Sequence, residues 1–257
     1  MRMRLPNYHY FFILLSTPVI ALLVRASPIE HSEQPTVESI LEKHIESQGG
    51  REILKGLISL EVEATVRIES QGIEYPVIEK VVSPDKLLSQ HEFPVFGTIK
   101  EVLNGHAGWE WHPILGERPL DEGEIEDKRK ESDLQRDLKL TELYEEIRIG
   151  PTEVIEEIET TQLILVDKQG RQEWWYFKEN GDLFQQVQIV SSGPESEFES
   201  TSRYYEFQTV DGFRFPGMIK MINPAYVAEL EIVSLLVNQP IDLSCFLLPE
   251  PILQADN

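Results

Sequence analysis

The sequence predicts an α+β fold dominated by one large antiparallel sheet of about ten strands, and three observations predict it. From Leu60 to Val237, segment after segment alternates apolar and polar residues with period two, the pattern of half-buried strands. Dipeptides of hairpin chemistry, Asn104-Gly105, Gln169-Gly170, Asn180-Gly181 and Asp211-Gly212, separate many of these segments. Helical spacing is confined to the stretch after Thr36 and to the region between Pro119 and Ile149. A strongly twisted sheet of about ten strands curls, and a curled sheet has an inside.

The first 26 residues read as a secretory signal peptide. Arg2 and Arg4 precede an apolar stretch of 15 residues, Tyr10 to Val24, and Val24-Arg25-Ala26 offers small residues for cleavage. A spanning helix needs about 20 apolar residues, and Pro18 interrupts this stretch, so an uncleaved anchor is the weaker alternative. No cysteine stands near the cleavage point to be lipidated. Residues 27–35 form a short polar leader, and residues 36–257 form a single domain.

Within that domain Thr36 is placed to cap a helix carrying Val37, Ile40, Leu41, His44 and Ile45 on one face, with Gly49-Gly50 as its stop. Ile53, Leu54 and Leu57 lead into the first strand, where Leu60, Val62, Ala64, Val66 and Ile68 alternate with Glu61, Glu63, Thr65, Arg67 and Glu69. Turns at Gln71-Gly72 and Ser83-Pro84-Asp85 continue an antiparallel meander through 73–82, 86–93, 98–103 and 108–112. The charge-rich run 119–149 carries Leu134, Leu138, Leu140, Leu143, Tyr144 and Ile147 at helical spacings and reads as one or two helices. Strands resume at about Val154 and follow over 162–167, 171–178, 182–190, 202–209, 213–221 and 226–237.

Composition narrows the function. Of 257 residues, 45 are acidic and 23 basic, a net charge of −22 that repels phosphate backbones and anionic headgroups, so nucleic acid is not an expected partner. Removal of the signal peptide at Ala26 takes three arginines with it and leaves 20 cations against 45 acids. The single cysteine, Cys245, excludes an internal disulfide and any CxxC redox or zinc site. Export of such an acidic chain with one cysteine fits a bacterial periplasm.

The segments "ILEKHIESQGGREILKGLISLEVEATV", "NGHAGWEWHP", "VDGFRFPGMIK" and "VSLLVNQPIDLSCFLLP" together resemble bacterial outer-membrane lipoprotein-sorting proteins with the LolA-like fold. The resemblance extends over nearly all of 36–257. It implies a half-open barrel, a curved antiparallel sheet with helices covering its concave side, whose apolar interior holds acyl chains of lipoproteins or free lipids. It also implies an arginine inside the cavity that helps to hold a lid closed. Arg67, Arg148, Arg171, Arg203 and Arg214 are the strand-region candidates, and no local motif selects among them.

The residues offer their own candidates for lining such an interior. Phe213, Phe215, Ile219 and Met221 share one face of a predicted strand, as do Tyr226, Ala228, Leu230, Ile232 and Leu236 of the next. Trp174 and Tyr176 point one way and Trp175 and Phe177 the other, so this strand is apolar on both faces. Trp109 and Trp111 flank Glu110 on one face and suit either a core or the rim of a cavity for an amphipathic ligand. The helices of 119–149, with Leu134 and Leu138, are the expected lid.

Catalytic chemistry finds little support. His106 and His112 flank Glu110, but six strand residues span about 20 Å, too far for one metal ion. His44 reads as a satisfied interior histidine and Cys245 as a small hydrophobe. The chain carries no G-x-S-x-G, HExxH, P-loop or dinucleotide motif, and no cofactor is implied. The acidic run from Asp121 to Asp127 reads as a solvated helix start or as a docking face for a basic partner. The leading expectation is a non-catalytic periplasmic carrier, or chaperone, for lipidated or hydrophobic ligands. A filled-core scaffold contacting an envelope protein and a lipid hydrolase are the alternatives.

Overall fold

A computed structural model describes residues 35–191 and 197–249 of the chain. The expected signal peptide and all of the leader but Pro35 lie outside the described residues. After two helices, α1 (Val37–Ser47) and α2 (Arg51–Lys55), come six strands: β1 (Ser59–Ile68), β2 (Ile73–Val82), β3 (Lys86–Phe93), β4 (Gly97–Asn104), β5 (Ala107–His112) and β6 (Gly116–Pro119). Helix α3 (Glu122–Ser132), a 3₁₀ turn (Arg136–Lys139) and α4 (Leu140–Leu143) interrupt them. The chain then forms β7 (Tyr144–Ile155), β8 (Ile158–Asp167), β9 (Gln172–Phe177), β10 (Leu183–Ser191), β11 (Glu197–Tyr205), β12 (Gln208–Val210), β13 (Phe213–Phe215), β14 (Met218–Ile222) and β15 (Val227–Val237), and a 3₁₀ turn (Leu243–Phe246) follows.

Thirteen strands form one curved, open antiparallel sheet in the order β6-β5-β4-β3-β2-β1-β15-β14-β11-β10-β9-β8-β7, and β12 and β13 form a separate hairpin. The chain therefore builds two meanders that meet where β1 pairs with β15. Both edges are blunted. β6 is four residues long, and β7 carries Pro151 and several charges, features that discourage pairing with another chain.

Helix α1 begins with a reciprocal cap between Thr36 and Ser39 and lays Ile40, Leu41, His44 and Ile45 against the sheet. Ile40 and Leu41 pack with Leu163, Leu165, Trp175 and Phe177 of β8 and β9, and with Leu140 and Tyr144. Gly49, at φ 115°, lets the chain pass under the β12–β13 hairpin, where an added Cβ would stand 2.1 Å from the Gly212 carbonyl oxygen. Helix α3 packs Ile125 on Val81, Leu87 and Leu103 of β2, β3 and β4. On the opposite face of those strands, Phe246 seals Leu88, Val102 and Trp109.

Several boundaries differ from the sequence expectation, each for a physical reason. The strand expected over 213–221 is broken at Pro216-Gly217, so Phe213 and Phe215 belong to the separate hairpin, whereas Ile219 and Met221 lie in the main sheet. Residues 202–209 likewise divide between β11 and β12. β7 starts ten residues before the expected Val154, and its turn to β8 is made by Glu156 and Glu157 at φ 50° and 66°, a positive-φ pair without the usual glycine. In β15 the register shifts so that Val233 is an extra residue, which reverses the alternation: Leu230 and Ile232 face one way, and Leu235 and Val237 rather than Leu236 continue that face.

Candidate functional site

The face of the sheet toward the helices carries the apolar layer that the fold can offer a ligand. Cross-strand register sets Tyr75, Val66, Leu230, Ile219 and Tyr204 side by side across five strands, with Val77, Ala64 and Ile232 in the adjoining row. Ala64, Val66, Ile68, Tyr75, Val77 and Ala228 are buried and pack with Val62, Ile73, Phe93, Met221 and Leu230. Every member of this cluster is a strand residue. Helices α1 and α2 pack elsewhere, over β8–β9 and around Leu57 and Val237.

An aromatic stack leads out of this layer to one end of the sheet. The rings of Tyr75 and Phe93 lie 4.1 Å apart and those of Phe93 and Phe96 4.6 Å apart, and Phe96 in turn stacks on His112 at 6.2 Å. There two neighbouring hairpin tips bare large hydrophobic side chains: Val95 is 90% exposed, Ile114 73% and Leu115 80%.

Between the sheet and the segment 122–143 lies a polar layer. Arg136 donates to the Tyr144 hydroxyl at 2.8 Å and stacks over the Trp175 ring; the Tyr144 hydroxyl donates to Glu173 at 2.9 Å. Glu173 also accepts from Trp175 Nε1 at 3.0 Å and from Gln186 Nε2 at 2.9 Å, and the Tyr204 hydroxyl donates to Gln186 at 3.0 Å. Burial pushes the Tyr204 phenol up to about 12. Next to this network, Asp137 accepts from Gln48 Nε2 at 2.7 Å and stands 3.1 Å from His44 Nε2, which ties α1 to the 3₁₀ turn. Burial by itself would raise the Asp137 carboxyl, but its hydrogen bonds to His44 and Gln48 and the Arg136 charge hold it at about 2. Leu134 and Leu138 of the same segment pack on Ile45, Leu54, Leu57 and Val237.

A second polar cluster lies under α3. Ser89 Oγ is 3.1 Å from His91 Nε2 and 3.4 Å from a Glu79 carboxylate oxygen, while Lys128 of α3 bonds Glu101 at 3.0 Å and Glu131 at 3.1 Å. Burial raises the Glu79 carboxyl and lowers the His91 imidazole. Among the described residues the carboxylate meets the serine, and no hydrogen bond engages the second imidazole nitrogen. Ser89 is buried as well.

The residues expected to line a cavity fall in four places. Ile219, Leu230 and Ile232 lie in the strand-borne apolar layer. Trp174 and Tyr176 lie on the other face of the sheet, with Gln162, Gln185 and Arg203. Trp109 packs beneath Phe246, while Trp111 is partly exposed on the same face. Phe213 packs under α2, and Phe215 is buried beside it in the hairpin. Leu134 and Leu138 do lie in the segment over the sheet.

Among the described residues one of the five strand-region arginines, Arg171, reaches that segment, by pairing with Asp127 of α3 at 3.6 Å, and none of the five joins the polar layer beneath it. Arg67 pairs with Glu74 and Glu231, Arg148 with Glu146, Arg171 with Asp167, Arg203 with Glu156 and Arg214 with Asp182. The guanidinium that does so is Arg136, whose Nε is buried without a partner among the described residues. It stands in the 3₁₀ turn of the covering segment and therefore lies outside the strand-region candidates. His44 is the satisfied interior histidine expected, and Cys245 packs at the edge of the Trp109–Phe246 cluster, where burial raises its thiol.

No protein-family model matches the chain, and no curated protein sequence does. Solved structures share its architecture. A LolA-superfamily protein from Nitrosomonas europaea is 16% identical, the match covering 83% of this chain and 98% of that one with a TM-score of 0.56. A DUF1329-family protein from Desulfovibrio piger matches at 10% identity over 83% and 98% of the two chains, TM-score 0.58. A domain described as that of an outer membrane lipoprotein-sorting protein from Vibrio parahaemolyticus matches at 13% identity over 80% and 97%, TM-score 0.52. At these identities the likeness is one of architecture, and the chain has a LolA-like fold.

Proposed function

We propose that this chain is a periplasmic carrier or binding protein for acyl chains, of lipoproteins or of free lipids, that works without catalysis. The observation that carries this reading is the apolar layer built by strands alone and continued by Tyr75, Phe93 and Phe96 to exposed hairpin tips. A layer assembled around Ala64 and Ala228, the smallest side chains in it, is suited to receiving a flexible chain. Burial of a hydrocarbon returns about 0.8 kcal/mol per CH₂, so a modest length of chain suffices for useful affinity. The LolA-like fold and the lipoprotein-sorting description of the Vibrio domain support the same class of ligand.

In this reading residues 122–143 are the lid, fastened by Arg136 to Tyr144 and by Asp137 to His44 and Gln48. The tips bearing Val95, Phe96, Ile114 and Leu115 mark the mouth through which a chain passes to its donor or acceptor. The signal segment delivers the protein across the inner membrane, unlipidated. The test is binding of an acyl fluorophore such as parinaric acid to the purified protein and to Ala64→Trp. Wild type binds it, and the bulky indole blocks binding while far-ultraviolet circular dichroism stays unchanged. A wild-type protein that leaves the fluorophore free would overturn the proposal.

A further inference from the structure

The sheet carries a recess on the face away from the helices, and its lining differs in kind from the apolar layer. A groove of about 320 Å³ is bounded by Gln162, Trp174, Tyr176, Gln185, Val187, Glu199, Thr201 and Arg203. Register explains their convergence: Gln162 stands opposite Tyr176, Tyr176 opposite Gln185 and Gln185 opposite Arg203 in one row, with Trp174, Val187 and Thr201 in the next. Two amide side chains here are more than nine-tenths buried, Gln162 at 4% and Gln185 at 7% exposure. Polar groups held that deep are costly unless they are hydrogen-bonded.

The amides are fixed in place. Gln162 Nε2 donates to the Tyr176 hydroxyl at 2.7 Å, and Arg203 Nε donates to Gln185 Oε1 at 2.7 Å. Arg203 is steadied from outside by Glu156, at the tip of the β7–β8 hairpin, which also accepts from the Tyr205 hydroxyl at 3.0 Å. Among the described residues, no hydrogen bond engages Gln185 Nε2, Gln162 Oε1, the Thr201 hydroxyl or the Glu199 carboxylate. The groove thus presents donors and acceptors of both senses beside the partly exposed ring of Trp174.

We propose that this groove binds a neutral saccharide unit, at a site separate from the acyl interior. Its chemistry selects that class. An anion is disfavoured because Glu156 already neutralises Arg203 and Glu199 adds negative charge. A purely apolar ligand would cover Gln185 Nε2, Gln162 Oε1 and the Thr201 hydroxyl without offering them a partner. A sugar ring offers a C–H face to the indole and hydroxyls to amide, carboxylate and hydroxyl partners. The volume lies at the low end for small-molecule sites and suits one small ligand rather than an extended chain.

The experiment titrates isotopically labelled full-length protein with glucose, N-acetylglucosamine and its short β-1,4 oligomers, with choline as the rival cationic probe, and follows backbone amide shifts. The expected result is saturable shifts confined to strands β8 to β11 with one of the saccharides, and binding weakened about tenfold or more in Trp174→Ala. Thr201→Val, which keeps side-chain volume, should also weaken saccharide binding and guards against misfolding of the tryptophan variant. Saturation by choline with no saccharide response would overturn the proposal, as would silence toward every probe or shifts confined to the helix-covered face. Loss of acyl binding would leave these shifts untouched, so the two proposals fail separately.

Discussion

Asp137→Asn is the perturbation that most sharply tests how the covering segment is fastened. The carboxyl is held at about 2 against an ordinary 3.8, because His44, Arg136 and Gln48 outweigh the burial that would raise it. Each pH unit of displacement corresponds to about 1.4 kcal/mol, so the carboxylate contributes about 2 kcal/mol to folding at neutral pH. A depressed carboxyl contributes fully above its unfolded value near 4, and the contribution disappears as the pH falls through about 2. Asparagine keeps the shape and can still accept from Gln48, but it lacks the charge. For a chain of this size about 2 kcal/mol corresponds to a melting temperature lower by about 4–8 °C. Thermal unfolding of the two proteins should therefore show that gap at pH 6 to 7 and should show it shrinking toward zero near pH 2. Local hydrogen exchange in residues 133–143 should quicken in the variant more than exchange in β1 or β2. A gap that stays constant from pH 7 to pH 2, or no gap at all, would refute the reasoning.

Further substitutions test the frame and the cluster under α3. Gly49→Ala must place a methyl 2.1 Å from the Gly212 carbonyl oxygen at φ 115°, and urea unfolding should show a loss of more than about 1 kcal/mol. Phe246→Ala removes a fully buried ring between β3, β4 and β5 and should cost about 3–5 kcal/mol by the same assay, exposing Trp109 to a fluorescence quencher. Glu79→Gln should stabilise the protein at pH 7 to 8, because burial and then the neighbouring acids Glu131 and Glu101 disfavour the charged carboxylate. A raised carboxyl contributes its stability at low pH and loses it as the pH rises, so the advantage of glutamine should fade by pH 3 to 4.

Much of this architecture was legible because local chemistry and global fold agree. The alternation from Leu60 to Ile68, the glycine turns at 105, 170, 181 and 212 and the cap at Thr36 each name their own structure. The face exposed by Leu230 and Ile232 followed from period-two counting alone, but Leu236 did not, since the extra residue Val233 is set by the partner strand β1. The strand expected at about Val154 begins instead at Tyr144, because its edge position tolerates the charges of 145–148 and its turn uses two glutamates at positive φ. The grouping of aromatic residues was harder still. Trp109, Trp174 and Phe213 are alike as sequence, yet tertiary placement sends them to the Phe246 cluster, the outer groove and the underside of α2. Arg136 and Asp137 gain their roles only through partners 89 or more residues earlier or 8 or more residues later, which no local pattern reveals.

Native mass spectrometry of protein purified from the periplasm in which it is expressed addresses the acyl interior most directly. The account predicts a resolved fraction carrying one lipid or fatty-acid mass, displaced by added parinaric acid and missing from Ala64→Trp. Spectra that show the bare polypeptide alone, from a folded sample that also ignores added fatty acid, would contradict it.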